Sequence, residues 1–121
     1  MLKQLEDDNL MPNTFKLKTN TNMPSSAGSP DTLYTVPSST QTIIVGLVLC
    51  NLDTSSRTAS VFIDRSSSED VFLLKNVPIV AGSSLEVLSG GKVVLETTDV
   101  LKIDCDVADK IGASLSILEI S

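Results

Sequence analysis

Three aspartates fall within six residues in Asp104-Cys-Asp-Val-Ala-Asp109, with Asp99 close before them. Carboxylate oxygens gathered this way could hold a hard cation such as calcium. On a strand, Asp104 and Asp106 would project to one face, because side chains alternate. The regular acidic spacing and the glycine of a dedicated calcium loop are missing, so a solvated strand face is the plainer expectation. Paired carboxylates could also serve a glycosidase as acid and base. Sugar sites want aromatic surface, however, and the chain has four rings: Phe15, Tyr34, Phe62 and Phe72. Serines cluster at Ser38-Ser39, Ser55-Ser56, Ser66-Ser-Ser68 and Ser83-Ser84. A serine nucleophile needs a base beside it, and the chain contains no histidine. These serines are expected to form loops. No catalytic, metal-binding or cofactor-binding residue is assigned, and no cofactor is expected.

The missing histidine also removes the side chain that titrates nearest neutrality and the commonest ligand of zinc and copper. Two cysteines remain, Cys50 and Cys105, both in apolar, strand-like runs. They are expected as buried free thiols, with a cross-strand disulfide open only if the two strands are neighbours. The formal charge is −6. Lys3, Lys16 and Lys18 balance Glu6, Asp7 and Asp8, so the acidic excess lies wholly beyond residue 30. Phosphate binding needs grouped lysines and arginines, which an acidic body without a basic cluster does not provide. The longest apolar run, Ile43 to Cys50, is too short to cross a bilayer. The first ten residues lack the apolar core of a secretory signal. Nucleic acid, a membrane and a small-molecule substrate are therefore not expected as partners, and the protein is not expected to be an enzyme.

The elements that would carry these residues are short. Its 121 residues suit one domain. From Thr32 onward, apolar segments of four to ten residues recur between Ser, Gly, Pro, Asn and Asp clusters, the spacing of a sandwich or barrel. Strands are predicted at Thr32–Val36, Thr42–Asn51, Thr58–Asp64, Asp70–Lys75, Ser84–Leu88, Lys92–Glu96, Val100–Cys105 and Ala113–Ile120. Ser89-Gly-Gly predicts a hairpin between the fifth and sixth of these. The nearly continuous run Ile43 to Cys50 predicts a central strand, buried on both faces or covered by a neighbouring chain. The last two strands alternate and should have one wet face. No stretch keeps helical periodicity.

Residues 1–31 differ. They hold three of the five prolines and the polar stretch Thr19 to Asp31. Such a segment buries too little apolar area to offset its ordering entropy alone. Thr14–Thr19 alternates for one short strand. Leu2, Leu5, Leu10, Phe15 and Leu17 would be left wet without a neighbour, so they are expected to make intersubunit contacts. The expected organisation is an extended N-terminal arm, 1–31, followed by a β-sandwich domain, 32–121.

Several pieces of residues 32–121 resemble small β-sandwich virion structural proteins of tailed phages, cyanophages and other marine phages among them. They include Thr32-Leu-Tyr-Thr-Val-Pro37, Thr42-Ile-Ile-Val-Gly-Leu-Val-Leu-Cys-Asn51 and Ser60-Val-Phe-Ile-Asp64. Leu73 to Val87, Lys92-Val-Val-Leu-Glu96, Asp99 to Ile103 and Leu115 to Ile120 follow in the same order. The resemblance implies an all-β, antiparallel sandwich, immunoglobulin-like or jelly-roll. It also implies a virion location after synthesis in the host cytoplasm. The implied role is capsid decoration or cement, with the major capsid protein or other virion proteins and further copies of the chain as partners. A neck, collar or tail component, or a receptor- or glycan-binding module, are the alternatives.

Overall fold

The computed structural model describes residues 13–65 and 69–121. They form nine strands and, among the described residues, no helix: β1 (Asn13–Met23), β2 (Asp31–Thr35), β3 (Gln41–Asn51), β4 (Arg57–Asp64), β5 (Asp70–Ile79), β6 (Ser84–Glu86), β7 (Val93–Leu95), β8 (Val100–Cys105) and β9 (Ile111–Ile120). Pairing is antiparallel and nested in sequence: β1 with β9, β2 with β8, β3 with β6 and β7, β4 with β5. Two further pairings, β9 with β3 and β8 with β4, roll this long double ribbon into two sheets. The first sheet has the order β1-β9-β3-β6, with β7 also on β3, and the second β2-β8-β4-β5. That nesting is a jelly roll, and it decides between the two expected kinds of sandwich.

Alternation fills the space between the sheets. Ile44, Leu47, Leu49, Leu95, Leu115 and Ile117 come from the first sheet, with Val61, Leu101 and Ile103 from the second, and all are essentially inaccessible. Each large aliphatic side chain buried this way contributes about 1.5–3 kcal/mol before entropy is subtracted. The predicted strands coincide closely with β2 to β9. Strand β5 runs on to Ile79, past Pro78, which an edge strand tolerates because one row of its backbone groups has no ladder partner.

Three expectations are revised. Ser89-Gly-Gly does not turn a hairpin. β6 and β7 both lie along β3, opposite Val48–Cys50 and Thr42–Ile44, as two pieces of one interrupted edge. Gly90, at φ +86°, supplies the turn in the interruption, and Gly91 N donates to Leu88 O. Secondly, β3 is central but buried on one face only. Thr42, Ile44, Leu47 and Leu49 face the core, while Val45 and Val48 are exposed and Ile43 and Cys50 half-buried. Thirdly, regular structure starts well before residue 32. Part of the segment read as an arm, Asn13–Met23, pairs along β9, and Met23 is fully buried. Gly28 N donates to Cys105 O and Asp109 N to Pro24 O, which fastens residues 24–28 to the body as well.

Asn51 holds one end of the barrel together. Fully buried, it donates from Nδ2 to Ser55 O and Ile79 O, while its Oδ1 accepts from Asp53 N. Arg57 Nε then pairs with Asp53 at 2.7 Å and holds that carboxyl below its usual range. Asn51→Ala strands backbone groups in the β3–β4 loop and at the end of β5, and a loss of about 2–4 kcal/mol in urea unfolding is expected.

Candidate interaction surface

The two outer faces of the sandwich are unlike. On the second sheet, Phe62 and Phe72 stand opposite one another with ring centroids 5.0 Å apart, and Lys75 Nζ lies 4.9 Å from the Phe72 centroid. Lys102 pairs with Asp64 on the same side at 3.0 Å. This face mixes charged side chains with the aromatic pair, in which Phe62 is buried and Phe72 is 42% exposed under Lys75.

On the first sheet the outer face is apolar. Register places Phe15 opposite Leu118, Leu118 opposite Ile43, and Ile43 opposite Val94, a cross-strand row spanning β1, β9, β3 and β7. Phe15 is 76% exposed, Leu17 64% and Val94 57%, and Val45 and Val48 are exposed beside them. A register shift between Ile44 and Gly46 pushes Val45 outward where β6 and β7 leave their gap. Phe15, Lys16, Leu17, Val45, Ser116 and Ile117 line a shallow groove of ≈ 330 Å³. Single exposed apolar side chains are ordinary; a contiguous row across four strands is a feature that contact surfaces commonly carry.

The sheet edges differ too. β5 carries two register shifts, Pro78 and the positive-φ Asn76, whose backbone N donates to Ser60 Oγ. β2 is five residues long with a shift of its own, and the β6–β7 edge is broken. Such irregularity protects edges from unwanted pairing. β1 pairs with β9 in unbroken register from Asn13 to Asn20, and among the described residues its other side is a straight edge without a strand partner, next to the apolar row.

Of the residues expected to make intersubunit contacts, the structure brings Phe15 and Leu17 together on this face. Leu2, Leu5 and Leu10 lie outside the described residues. The aspartates are dispersed into local roles. Asp104 Oδ1 accepts from Cys105 N, Asp106 Oδ1 from Thr58 N, and Asp99 from both Arg65 Nε and Glu96 N. Among the described residues no three His, Cys, Asp or Glu side chains converge as metal ligands. Both thiols are free. Cys105 is buried in the second sheet, where burial raises its pKa, and Cys50 is half-exposed on the outer side of the first. They sit in different sheets, and Cys50 departs from the expected burial.

One polar cluster escaped sequence reading. Tyr34 Oη, from β2, crosses to the other sheet and donates to Glu119 Oε2 at 2.5 Å, while lying 2.7 Å from Thr42 Oγ1. Lys16 Nζ closes on Glu119 Oε1 at 2.8 Å. Burial and the neighbouring carboxylate push Tyr34 up to about 12. Burial pushes Glu119 upward, but Lys16 and Tyr34 outweigh it and hold its carboxyl below the usual range. The cluster ties β1, β2, β3 and β9 together, so it braces the edge strand that carries Phe15 and Leu17. The lone signal for it was a glutamate at a position that alternation assigns to the core.

No protein-family model matches the chain, and comparison with curated proteins gives no match either. Among solved structures, a protein of Bacillus endospore appendages, described as a family of disulfide-linked pili, is similar with a TM-score of 0.51 and 13% identity. That match covers 90% of this chain and 86% of the other. The likeness shows a shared fold. A chain of infectious bursal disease virus, Gt strain, aligns at a TM-score of 0.35 and 9% identity, over 91% of this chain and 32% of that one.

Proposed function

We propose that this protein is a non-enzymatic structural subunit that assembles with neighbours through its first sheet and leading segment. The observation that carries the reading is the apolar row on the outer face of the first sheet, which no other described residue covers, bordered by β1 at the end of the sheet order. A monomer would leave Phe15, Leu17 and Val94 in water, at a cost that burial in an interface reverses. The fold is also one that the Bacillus pilus protein uses in a self-assembling structure, which supports the reading without assigning a filament. Within the structural class, the sequence resemblance favours a virion component, and specifically a capsid decoration or cement protein bound to the major capsid protein or to further copies. The absence of histidine and the acidic body suit a protein that performs no acid–base chemistry and stands apart from packaged nucleic acid.

Removing residues 1–12 tests the arm. The sandwich keeps all nine strands in that variant, so an unchanged far-ultraviolet spectrum and cooperative melt are expected. Self-association should weaken at least about tenfold, which corresponds to 1.4 kcal/mol. Association at the wild-type level would reject a gripping role for the segment.

A further inference from the structure

We propose that the apolar outer face of the first sheet receives residues 1–12 of a second copy of this chain. This rests on the assembly reading above and names the surface and the occupant. Exposed Phe15, Leu17, Val45, Val48 and Val94 form an apolar patch on the face, Leu118 and Ile43 continue the row between them, and Ser114, Ser116 and Glu86 border it. No charged side chain interrupts that row. The segment is chemically matched: Leu2, Leu5, Leu10 and Met11 place four large apolar side chains in twelve residues. Lys92, two residues before Val94, offers its acidic run Glu6-Asp7-Asp8 a cation at the margin of the row.

Length and position fit as well. Four strands at about 4.8 Å spacing span roughly 15 Å, which about five extended residues cross. About seven remain to bridge from a neighbour. The segment joins the body at Asn13, the first residue of the edge strand, two positions before Phe15. Asn13 begins β1 opposite Ile120, at the end of the sheet, so a segment that continues the strand direction leads away from its own face and toward that of a different copy.

Photo-crosslinking of the full chain tests this. A benzophenone side chain is placed at position 5, and ¹⁵N-labelled and unlabelled copies are mixed before irradiation. Mixed-isotope products joining position 5 to peptides that contain Val45, Val48 or Val94 are expected. Products joining one copy to itself, or capture confined to the second sheet, or no capture, would each overturn the proposal. A companion variant reads the same contact without a crosslinker. Val94→Asp, on an exposed edge position, should weaken self-association at least tenfold with an unchanged melt, while Val94→Thr should stay close to wild type. An aspartate variant that associates normally would also overturn it. Sedimentation of the wild type separates the two levels: a chain that assembles without these crosslinks loses the receiving face alone, whereas one that never assembles loses the structural reading as well.

Discussion

Leu47→Asp should not fold at neutral pH. Leu47 is completely buried near the middle of β3, between β9 and the gap of the broken edge, and its side chain points into the space between the sheets. The core cluster it would join is apolar apart from the Cys105 thiol and the Tyr34 hydroxyl, and that hydroxyl is already engaged by Glu119 and Thr42. Burying an unpaired charge costs more than the roughly 5–15 kcal/mol by which domains are stable. Protonating it instead still leaves an unsatisfied polar group and a void where the leucine methyls were. Leu47→Ala isolates the second of those effects and should cost about 2–5 kcal/mol while leaving a cooperative transition. Circular dichroism of the purified variants decides the matter. A cooperatively melting, soluble aspartate variant would mean that β3 does not form the centre of the core.

The second large effect concerns the Tyr34–Glu119–Lys16 cluster. Glu119→Ala removes the acceptor of a buried phenol and the partner of Lys16, and a loss of about 2–4 kcal/mol is expected. Tyr34→Phe leaves the carboxylate one donor short and should cost about 1.5–3 kcal/mol. Because the groups touch, the double variant should lose less than the two single losses together. The same cluster gives stability a pH dependence. Glu119 is held below the usual glutamate value of 4.5, so the folded state binds fewer protons than the unfolded chain. Its contribution is complete above that range, shrinks as the pH falls through it, and is gone below the depressed folded value. Tyr34 works from the other side. Its contribution is complete below pH 10 and is lost as the pH rises toward about 12. Urea unfolding of wild type and Glu119→Ala between pH 7 and strongly acid conditions should therefore converge at the acid end. Parallel curves would show that the carboxylate is not engaged as described.

What the chain revealed in advance followed from how local each signal is. β4, β8 and β9 were legible because apolar and polar side chains alternate and turn residues bracket them, and both are nearest-neighbour properties. The run Ile43 to Cys50 gave a strand but not its exposure. A continuous apolar run looks the same whether its second face is covered by this chain or left bare, and here Val45 and Val48 are exposed and Ile43 half-buried. β1 was underestimated because an edge strand pairs on one side only, so Thr19 to Met23 needs little apolar pattern to be held by β9. The Ser89-Gly-Gly signal was a real turn, yet whether the flanking segments pair with each other or both with β3 depends on a partner some forty residues earlier. The Tyr34–Glu119 contact spans 85 residues of sequence, and no local rule reaches that far. Phe15 and Leu17 are exposed. Their place on a sheet face, and not on a free arm, comes from the register with β9.

Sedimentation velocity of the full chain over about 1 to about 100 µM addresses the claim from which the rest descends, that the bare face of the first sheet is a contact surface. Concentration-dependent species heavier than one copy, dispersed by Val94→Asp, are the expected result. A single monomeric boundary across the whole range, identical for wild type and Val94→Asp, would contradict it.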